Sequence, residues 1–256
     1  MSLDFPLERS VLVCAQRSTV FRHFTEPRCL SAWWGAEGSS VEARPGGAVR
    51  IVNPGGSRVL GEVVELVEPS RFVFTYGYED PARPIPPGGS RVTFTLDERE
   101  AGTRVSVRHD VADAKTRDLH VAGWAYQLAR LANVAAKEQL TGATGTIDRF
   151  FAAWGEEDAA KRASLVRETT TSGVVFRDAF GATEGPGELE AHMAALQAQM
   201  RKVSIARDGE PRLCQGTAIV AWVVKNAEGA TRGRGEDVID FAPDGRIARV
   251  VGFWAP

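Results

Sequence analysis

The sequence predicts an α+β protein of two domains, each with its own sheet and helices. The first observation is a proline-free stretch at 115–140, where apolar residues such as Trp124 and Leu128 recur at steps of three and four and form one stripe of a long helix. The second is a run of strand-like segments before it. The third is a glycine-bearing run at 141–146, after which helices and strands begin again. We therefore predict domains at 1–141 and 146–256, joined by a hinge.

Composition places the chain among ordinary globular proteins. Hydrophobic residues make up 43% and charged residues 25% of its 256 residues, which suits two domains that each have a core. A formal net charge of −2 favours neither nucleic acid nor an anionic membrane as partner. No apolar run approaches the roughly 20 residues that span a bilayer, and the N-terminus has no signal-peptide pattern.

The three cysteines, Cys14, Cys29 and Cys214, are an odd number without CxxC spacing. Free thiols in a reducing cytoplasm fit this pattern better than a disulfide scaffold or a zinc site. The two PGGS runs lack the lysine of a phosphate-binding loop. We therefore expect a cytoplasmic protein with no cofactor and no metal.

The first domain is predicted to contain one curved sheet covered by the long helix. Its other segments are a strand at 7–14, helices at 16–24 and 27–34, and strands at 47–53, 58–67, 71–78, 91–97 and 103–111. In the last strand, Val105, Val107 and His109 alternate with charged and polar residues, which indicates an antiparallel sheet with one solvated face. The helix can cover the apolar face. We expect a cavity between sheet and helix, with the loop at 81–89 as a mobile lip.

Four motifs of this domain are LSAWWG at 30–35, RPGG at 44–47, GEVVELVEPSRFVFTY at 61–76 and the Gly-Trp pair at 123–124. With the element order over 5–140, they resemble the START-like, helix-grip superfamily (SRPBCC), in the branch named after the activator of the heat-shock-90 chaperone ATPase. The resemblance implies a curved antiparallel sheet around a long C-terminal helix. The fold hosts lipid binding, cyclisation and chaperone contact, so it does not choose the activity.

The candidate ligand contacts of the first domain are large aromatic residues and one histidine: Trp33, Trp34, Tyr76, His109 and Trp124. The alternative for each is a place in the core. Aromatic side chains contribute large burial energies, and a histidine on an apolar face is commonly hydrogen-bonded there.

The second domain is predicted to place helices before a series of long strands. Thr146 can cap a first helix whose Phe151 and Trp154 lie on one face. The remaining segments are helices at 158–166 and 188–200 and strands at 174–180, 203–208, 217–226, 235–241 and 246–254. This order predicts a curved sheet wrapped by helices, a cone-shaped α+β barrel.

The motifs FFAAWGEED at 150–158, VVFRDAF at 174–180, LEAHMAALQAQM at 189–200, GEDVIDFAPDGRI at 235–247 and the terminal GFWAP resemble the SnoaL-like proteins of the nuclear transport factor 2-like superfamily. That family includes polyketide cyclases, and relatives of the cone include ketosteroid isomerase, dehydratases and epoxide hydrolases. Such relatives commonly pair through the sheet. Because both faces of the last strand are apolar, one face lacks a partner within the domain, and we predict a homodimer.

Three ionisable residues of the second domain fall on apolar faces. Asp178 lies on the same face of its strand as Phe176, Asp237 lies on the same face as Ile239, and His192 lies on the apolar side of its helix. An unpaired buried charge is costly, so these residues should pair with one another or line a hydrated pocket. The alternative is a polar pair that only stabilises the fold.

We predict that these three side chains converge on one cavity, with Asp178 as base, His192 as its proton partner and Asp237 as orienting group or protonated donor. The predicted lining of that cavity is Phe151, Trp154, Trp222 and Phe253.

Three functions are compatible with these observations. The first is binding of small hydrophobic molecules in interior cavities. The second is cofactor-independent acid–base catalysis in the second domain, of the isomerase, cyclase or dehydratase type. The third is contact with a chaperone, which is favoured least because no charged client-binding extension is present. Identification of a co-purified small molecule would best separate them.

Overall fold

The computed structural model describes residues 2–200 and 202–255. It is an α+β structure with helices and two sheets, so the predicted fold class is confirmed. The chain divides into two compact units, Met1–Glu138 and Gln139–Pro256, and each is described by itself.

The first unit contains one sheet whose strands follow the order β1-β7-β6-β5-β4-β3-β2, with every neighbouring pair antiparallel. Its elements are β1 (Phe5–Val13), α1 (Arg17–Thr25), α2 (Pro27–Trp33), β2 (Ser40–Val41), β3 (Ala48–Val52), β4 (Arg58–Val67), β5 (Arg71–Tyr78), β6 (Ser90–Arg99), β7 (Gly102–Val111) and α3 (Ala114–Gln139). The short strand β2 was not predicted, because two residues are too few to show alternation.

Alternation along β7 positions the core of this unit. Val105, Val107 and His109 are buried, while the residues between them are more exposed. The α3 stripe that contains Trp124 and Leu128 is buried in the same cluster. Sheet and helix therefore bury their apolar faces against each other, as the sequence pattern predicts.

Aromatic rings fill most of the space between this sheet and α3. The ring of Phe94 has five neighbours with centroids between 4.5 and 6.4 Å away, namely Phe24, Trp33, Trp34, Phe74 and Trp124. The expected cavity is therefore wrong for the middle of the unit, because the side chains that would line it pack against one another. The loop at 81–89 is anchored, since Ile85 is buried and its carbonyl accepts a hydrogen bond from the Tyr78 N–H at 2.7 Å.

The second unit contains a mixed sheet in the order β10-β12-β13-β14-β8-β9, with β11 paired to β12. Its elements are α4 (Ala143–Gly155), α5 (Ala159–Thr169), β8 (Thr170–Arg177), β9 (Ala182–Glu184), α6 (Gly185–Gln199), β10 (Ser204–Arg207), β11 (Arg212–Cys214), β12 (Thr217–Lys225), β13 (Thr231–Phe241) and β14 (Ile247–Trp254). Only the β14–β8 pair is parallel among the strand pairs of this described unit.

Two predicted boundaries of this unit are wrong. Helix α4 begins at Ala143, with Gly142 before it, so Thr146 lies inside the helix and does not cap it. Strand β8 ends at Arg177, because the Asp178 carboxylate accepts hydrogen bonds from the N–H groups of Phe180 and Gly181 at 2.8 and 2.9 Å. This turn starts the return of the chain into β9.

One face of the second sheet presents apolar residues to solvent. Ile219, Val238 and Val251 lie in one row across β12, β13 and β14, and Phe253 is 56% exposed. The homodimer through this sheet stays a prediction. Among the described residues, no helix is both long and apolar enough to cross a membrane.

Candidate functional site

The second unit contains a pocket of about 40 Å³. Side chains from α4, α6, β10, β12, β13 and β14 line it, and most of them are apolar; they include Phe151, Trp154, Leu196, Met200, Trp222 and Trp254. Two acidic side chains, Asp178 and Asp237, also line the pocket. The pocket is therefore an apolar cavity with a localised acidic end.

Asp237 is placed by strand alternation. On β13 it is buried on the same face as Ile239 and Phe241. Its Oδ1 accepts a hydrogen bond from Trp222 Nε1 at 2.7 Å. Burial raises the pKa of Asp237 to about 7, the negative charge of Asp178 adds to this effect, and the Trp222 hydrogen bond opposes it. The carboxyl group therefore exchanges its proton near neutral pH.

Asp178 is placed by a turn rather than by a strand. Its side chain is only 4% exposed, and the two backbone hydrogen bonds to its Oδ1 fix the direction of the carboxyl group. A Cβ added at Gly252 would lie 3.1 Å from Asp237 Oδ1 and 3.4 Å from Asp178 Cβ. Gly252 thus lies between the two acids, and the absent side chain leaves them room to approach one another.

His192 lies behind Asp178 and not on the pocket surface. Its Nε2 is 3.8 Å from Asp178 Oδ1 and is a buried nitrogen without a hydrogen-bond partner in the described part of the chain. Its ring packs on Phe176 and Trp154, with centroids 5.5 and 5.9 Å away. The structure therefore brings Asp178 close to both predicted partners, although only the two aspartates line the pocket.

Of the four aromatic residues predicted to line the cavity, Phe151, Trp154 and Trp222 lie at the pocket and Phe253 does not. Phe253 points outward and Trp254 lines the pocket, with its ring 4.8 Å from that of Trp222.

Alternate glycines on β13 make this arrangement possible. A Cβ at Gly233 would lie 2.9 Å from the Trp254 ring, and one at Gly235 would overlap the Trp222 ring. In the sequence, the Gly-Arg-Gly run at 233–235 could have predicted that aromatic rings pack across this strand. Sequence analysis also missed the pocket residues Gln197, Met200, Val203 and Ile205.

The first unit has an opening of its own, of about 220 Å³, at one end of α3. Of the predicted contacts, Trp34, Tyr76 and Trp124 line this opening. Gln127 also lines it, and its Oε1 is buried without a hydrogen-bond partner in the described part of the chain.

Two predicted contacts of the first unit belong to the core instead. Trp33 is fully buried and its Nε1 donates to the His23 carbonyl at 2.8 Å. His109 Nδ1 accepts from Trp124 Nε1 at 3.1 Å, and its Nε2 faces Ser90 Oγ at 2.8 Å. Because Ser90 Oγ donates to the Tyr76 carbonyl, Ser90 must accept from His109 Nε2–H. Burial lowers the pKa of His109 to about 3, so it is a neutral structural residue.

Comparison with known proteins relates the two units to different families. Residues 14–136 match the family described as "Activator of Hsp90 ATPase homolog 1-like protein", so the resemblance of the first unit to this family is confirmed. A search of curated proteins gave no match.

Solved structures of both kinds are similar to parts of the chain. A SnoaL-like family protein from Agrobacterium tumefaciens is 25% identical, with 46% of this chain and 99% of that chain covered and a TM-score of 0.42. An AHSA1-like protein from Rhizobium etli is 31% identical, with 51% and 81% covered and a TM-score of 0.42. The Aha1 dimer from Colwellia psychrerythraea is 18% identical, with 50% and 93% covered and a TM-score of 0.43.

Proposed function

We propose that the pocket of the second unit binds a small, mostly apolar molecule that presents one neutral oxygen group to Asp178 and Asp237. The observation that carries the proposal is the acidic pair at one end of an otherwise apolar pocket. Buried acids of this kind are costly unless they meet a polar partner. Aromatic rings fill the middle of the first unit, and its opening at one end of α3 has no acidic side chain among its described lining residues.

The geometry restricts the ligand. Sites for drug-sized ligands usually have volumes of about 300–1,000 Å³, whereas this pocket has about 40 Å³. A single small ring, or one end of a larger molecule, fits this space. The negative charge of Asp178 disfavours a carboxylate or phosphate ligand, and the protonated form of Asp237 can donate a hydrogen bond to a carbonyl or hydroxyl oxygen.

Binding is tested with phenol, an aromatic alcohol with a single ring, by titration calorimetry. Leu196 lines the pocket, and we expect Leu196→Trp to fill it and weaken phenol binding by at least about tenfold, which is about 1.4 kcal/mol. The control is Ala195→Trp, an exposed position on the same helix, which should leave affinity within about twofold. Equal affinity of the wild-type protein and Leu196→Trp would reject this pocket as the binding site.

A second candidate function, acid–base catalysis next to a carbonyl group, is supported by the pKa of Asp237 near 7 and by the proximity of Asp178 to His192. In this proposal Asp178 removes a proton from the carbon beside the carbonyl. Asp237 donates a hydrogen bond to the oxygen as negative charge develops there, and His192 orients Asp178 or exchanges a proton with it.

Deuterium exchange at the α-carbon of cyclohexanone in D₂O measures this step without a known substrate. Asp178→Asn should lower the exchange rate by about 10²–10⁴-fold, the usual contribution of a general base. The fold should be kept, because the Asn Oδ1 can accept the same two backbone hydrogen bonds. Glu236→Gln, on the exposed face of β13, is the control. If the wild-type protein binds phenol but exchanges the cyclohexanone proton only at the uncatalysed rate, binding is kept as the function and catalysis is rejected.

A further inference from the structure

A cluster of metal-ligand side chains lies in the first unit, and none of them lines the opening of that unit. It forms where α1 and the start of α2 meet the last turn of α3. His23, Cys29 and Glu138 each offer one ligand atom, and these atoms all lie within 4.8 Å of one another. Glu26, between α1 and α2, lies beside this group, with its Oε2 3.5 Å from Cys29 Sγ.

The separations of the ligand atoms suit a tetrahedral ion. Cys29 Sγ lies 3.5 Å from Glu26 Oε2 and 4.0 Å from Glu138 Oε2, and His23 Nε2 lies 3.6 Å from Glu138 Oε2. Tetrahedral Zn²⁺, with bonds of about 2.0 Å to nitrogen and oxygen and about 2.3 Å to sulfur, separates N and O ligands by about 3.3 Å and S and O ligands by about 3.5 Å.

Further ion pairs and a hydrogen bond orient the side chains of Glu26, Glu138 and His23. Arg22 binds Glu26 Oε1 at 2.9 Å and Glu138 Oε1 at 3.0 Å, and in both carboxylates this leaves Oε2 toward Cys29. His23 Nδ1 lies 3.3 Å from the Thr19 carbonyl. A carbonyl can only accept, so Nδ1 carries the proton and the Nε2 lone pair faces Glu138. Partners of this kind commonly fix the orientation of metal ligands.

Charge and burial also favour a cation. With Cys29 as thiolate, two carboxylates and one Arg22 guanidinium leave two negative charges, which a divalent ion neutralises. The His23 side chain is 2% exposed. Binding of the ion would displace the thiol proton of Cys29.

We propose that His23, Cys29 and Glu138 form a Zn²⁺ site, with Glu26 beside it, that connects α1 and α2 to the C-terminal end of α3. An ion-pair network of Arg22 and the two glutamates would need neither a neutral imidazole nor a thiol at these distances. Thiolate, imidazole and carboxylate are the ligand types of protein-bound zinc.

The test uses the untagged full chain, reduced and treated with chelator. Zn²⁺ is titrated by calorimetry, and Co²⁺ is added separately to follow the thiolate-to-cobalt charge-transfer absorption. We expect one ion per chain and this absorption. Cys29→Ser and Glu138→Gln should each weaken Zn²⁺ binding by at least about tenfold, and Cys29→Ser should abolish the absorption. Cys214→Ser, at an exposed cysteine of the second unit, should change neither.

Circular dichroism of each variant verifies its fold before titration. Half-exposed Cys29 and Glu138 are changed because substitution of buried His23 could unfold the unit. The proposal is overturned if the wild-type chain binds no Zn²⁺ with one-to-one stoichiometry, if Cys29→Ser binds Zn²⁺ equally well, or if Co²⁺ binds without the charge-transfer absorption.

Discussion

Asp237→Asn is expected to raise the free energy of unfolding by up to about 4 kcal/mol above pH 7, and to change it little below about pH 4. The pKa of Asp237 rises from 3.8 to about 7 in the folded protein, and each pKa unit corresponds to about 1.4 kcal/mol. Between these two values the folded state holds the proton more tightly than the unfolded state. Wild-type stability therefore falls, relative to the variant, as the pH rises through this window, and the difference is constant above it.

Urea unfolding at several pH values measures this difference. Asn is a close match in shape, and its Oδ1 can still accept the hydrogen bond from Trp222 Nε1. Glu236→Gln changes an exposed carboxyl on the neighbouring residue of β13. Its stability difference from wild type should not change with pH in this way. A stability difference between wild type and Asp237→Asn that is the same at about pH 4 and pH 8 would show that Asp237 is ionised in the folded protein throughout this range.

Phe94→Ala is expected to destabilise the first unit by about 3–5 kcal/mol, the usual cost when a phenylalanine is removed from a core. Phe94 is fully buried, and five aromatic rings surround it. These rings cannot all move inward to fill the resulting cavity, because each packs against other side chains. The midpoint temperature of this unit should fall by about 10 °C or more.

Calorimetric melting also tests the predicted division into two domains, because domains that each have their own core should unfold separately. In that case the melting curve has two transitions, and Phe94→Ala moves only one of them. Leu12→Ala is a matched control on β1, where Leu12 is 44% exposed, and should cost less than about 0.5 kcal/mol. One shared transition, shifted as a whole by Phe94→Ala, would contradict independent unfolding of the units.

Much of the secondary structure follows from local sequence patterns. The strands predicted at 58–67 and 71–78 have the bounds of β4 and β5, because regular alternation there is interrupted by a Glu-Pro-Ser turn. Helix α3 follows from its apolar stripe in the same way. The local pattern did not predict where β8 ends, because the side chain of Asp178 competes with the strand for backbone hydrogen bonds.

The sequence by itself determined the α+β class, the main elements and the buried face on which Asp237 lies, because alternation along a strand and spacing along a helix are local properties. Only the tertiary structure decided that Asp178 and Asp237 lie on either side of Gly252, and that aromatic rings fill the middle of the first unit. It likewise brought Glu138 to Cys29, a residue 109 positions earlier in the chain. These contacts join elements distant in sequence, and their distances depend on how strands and helices pack, which no spacing along the chain records.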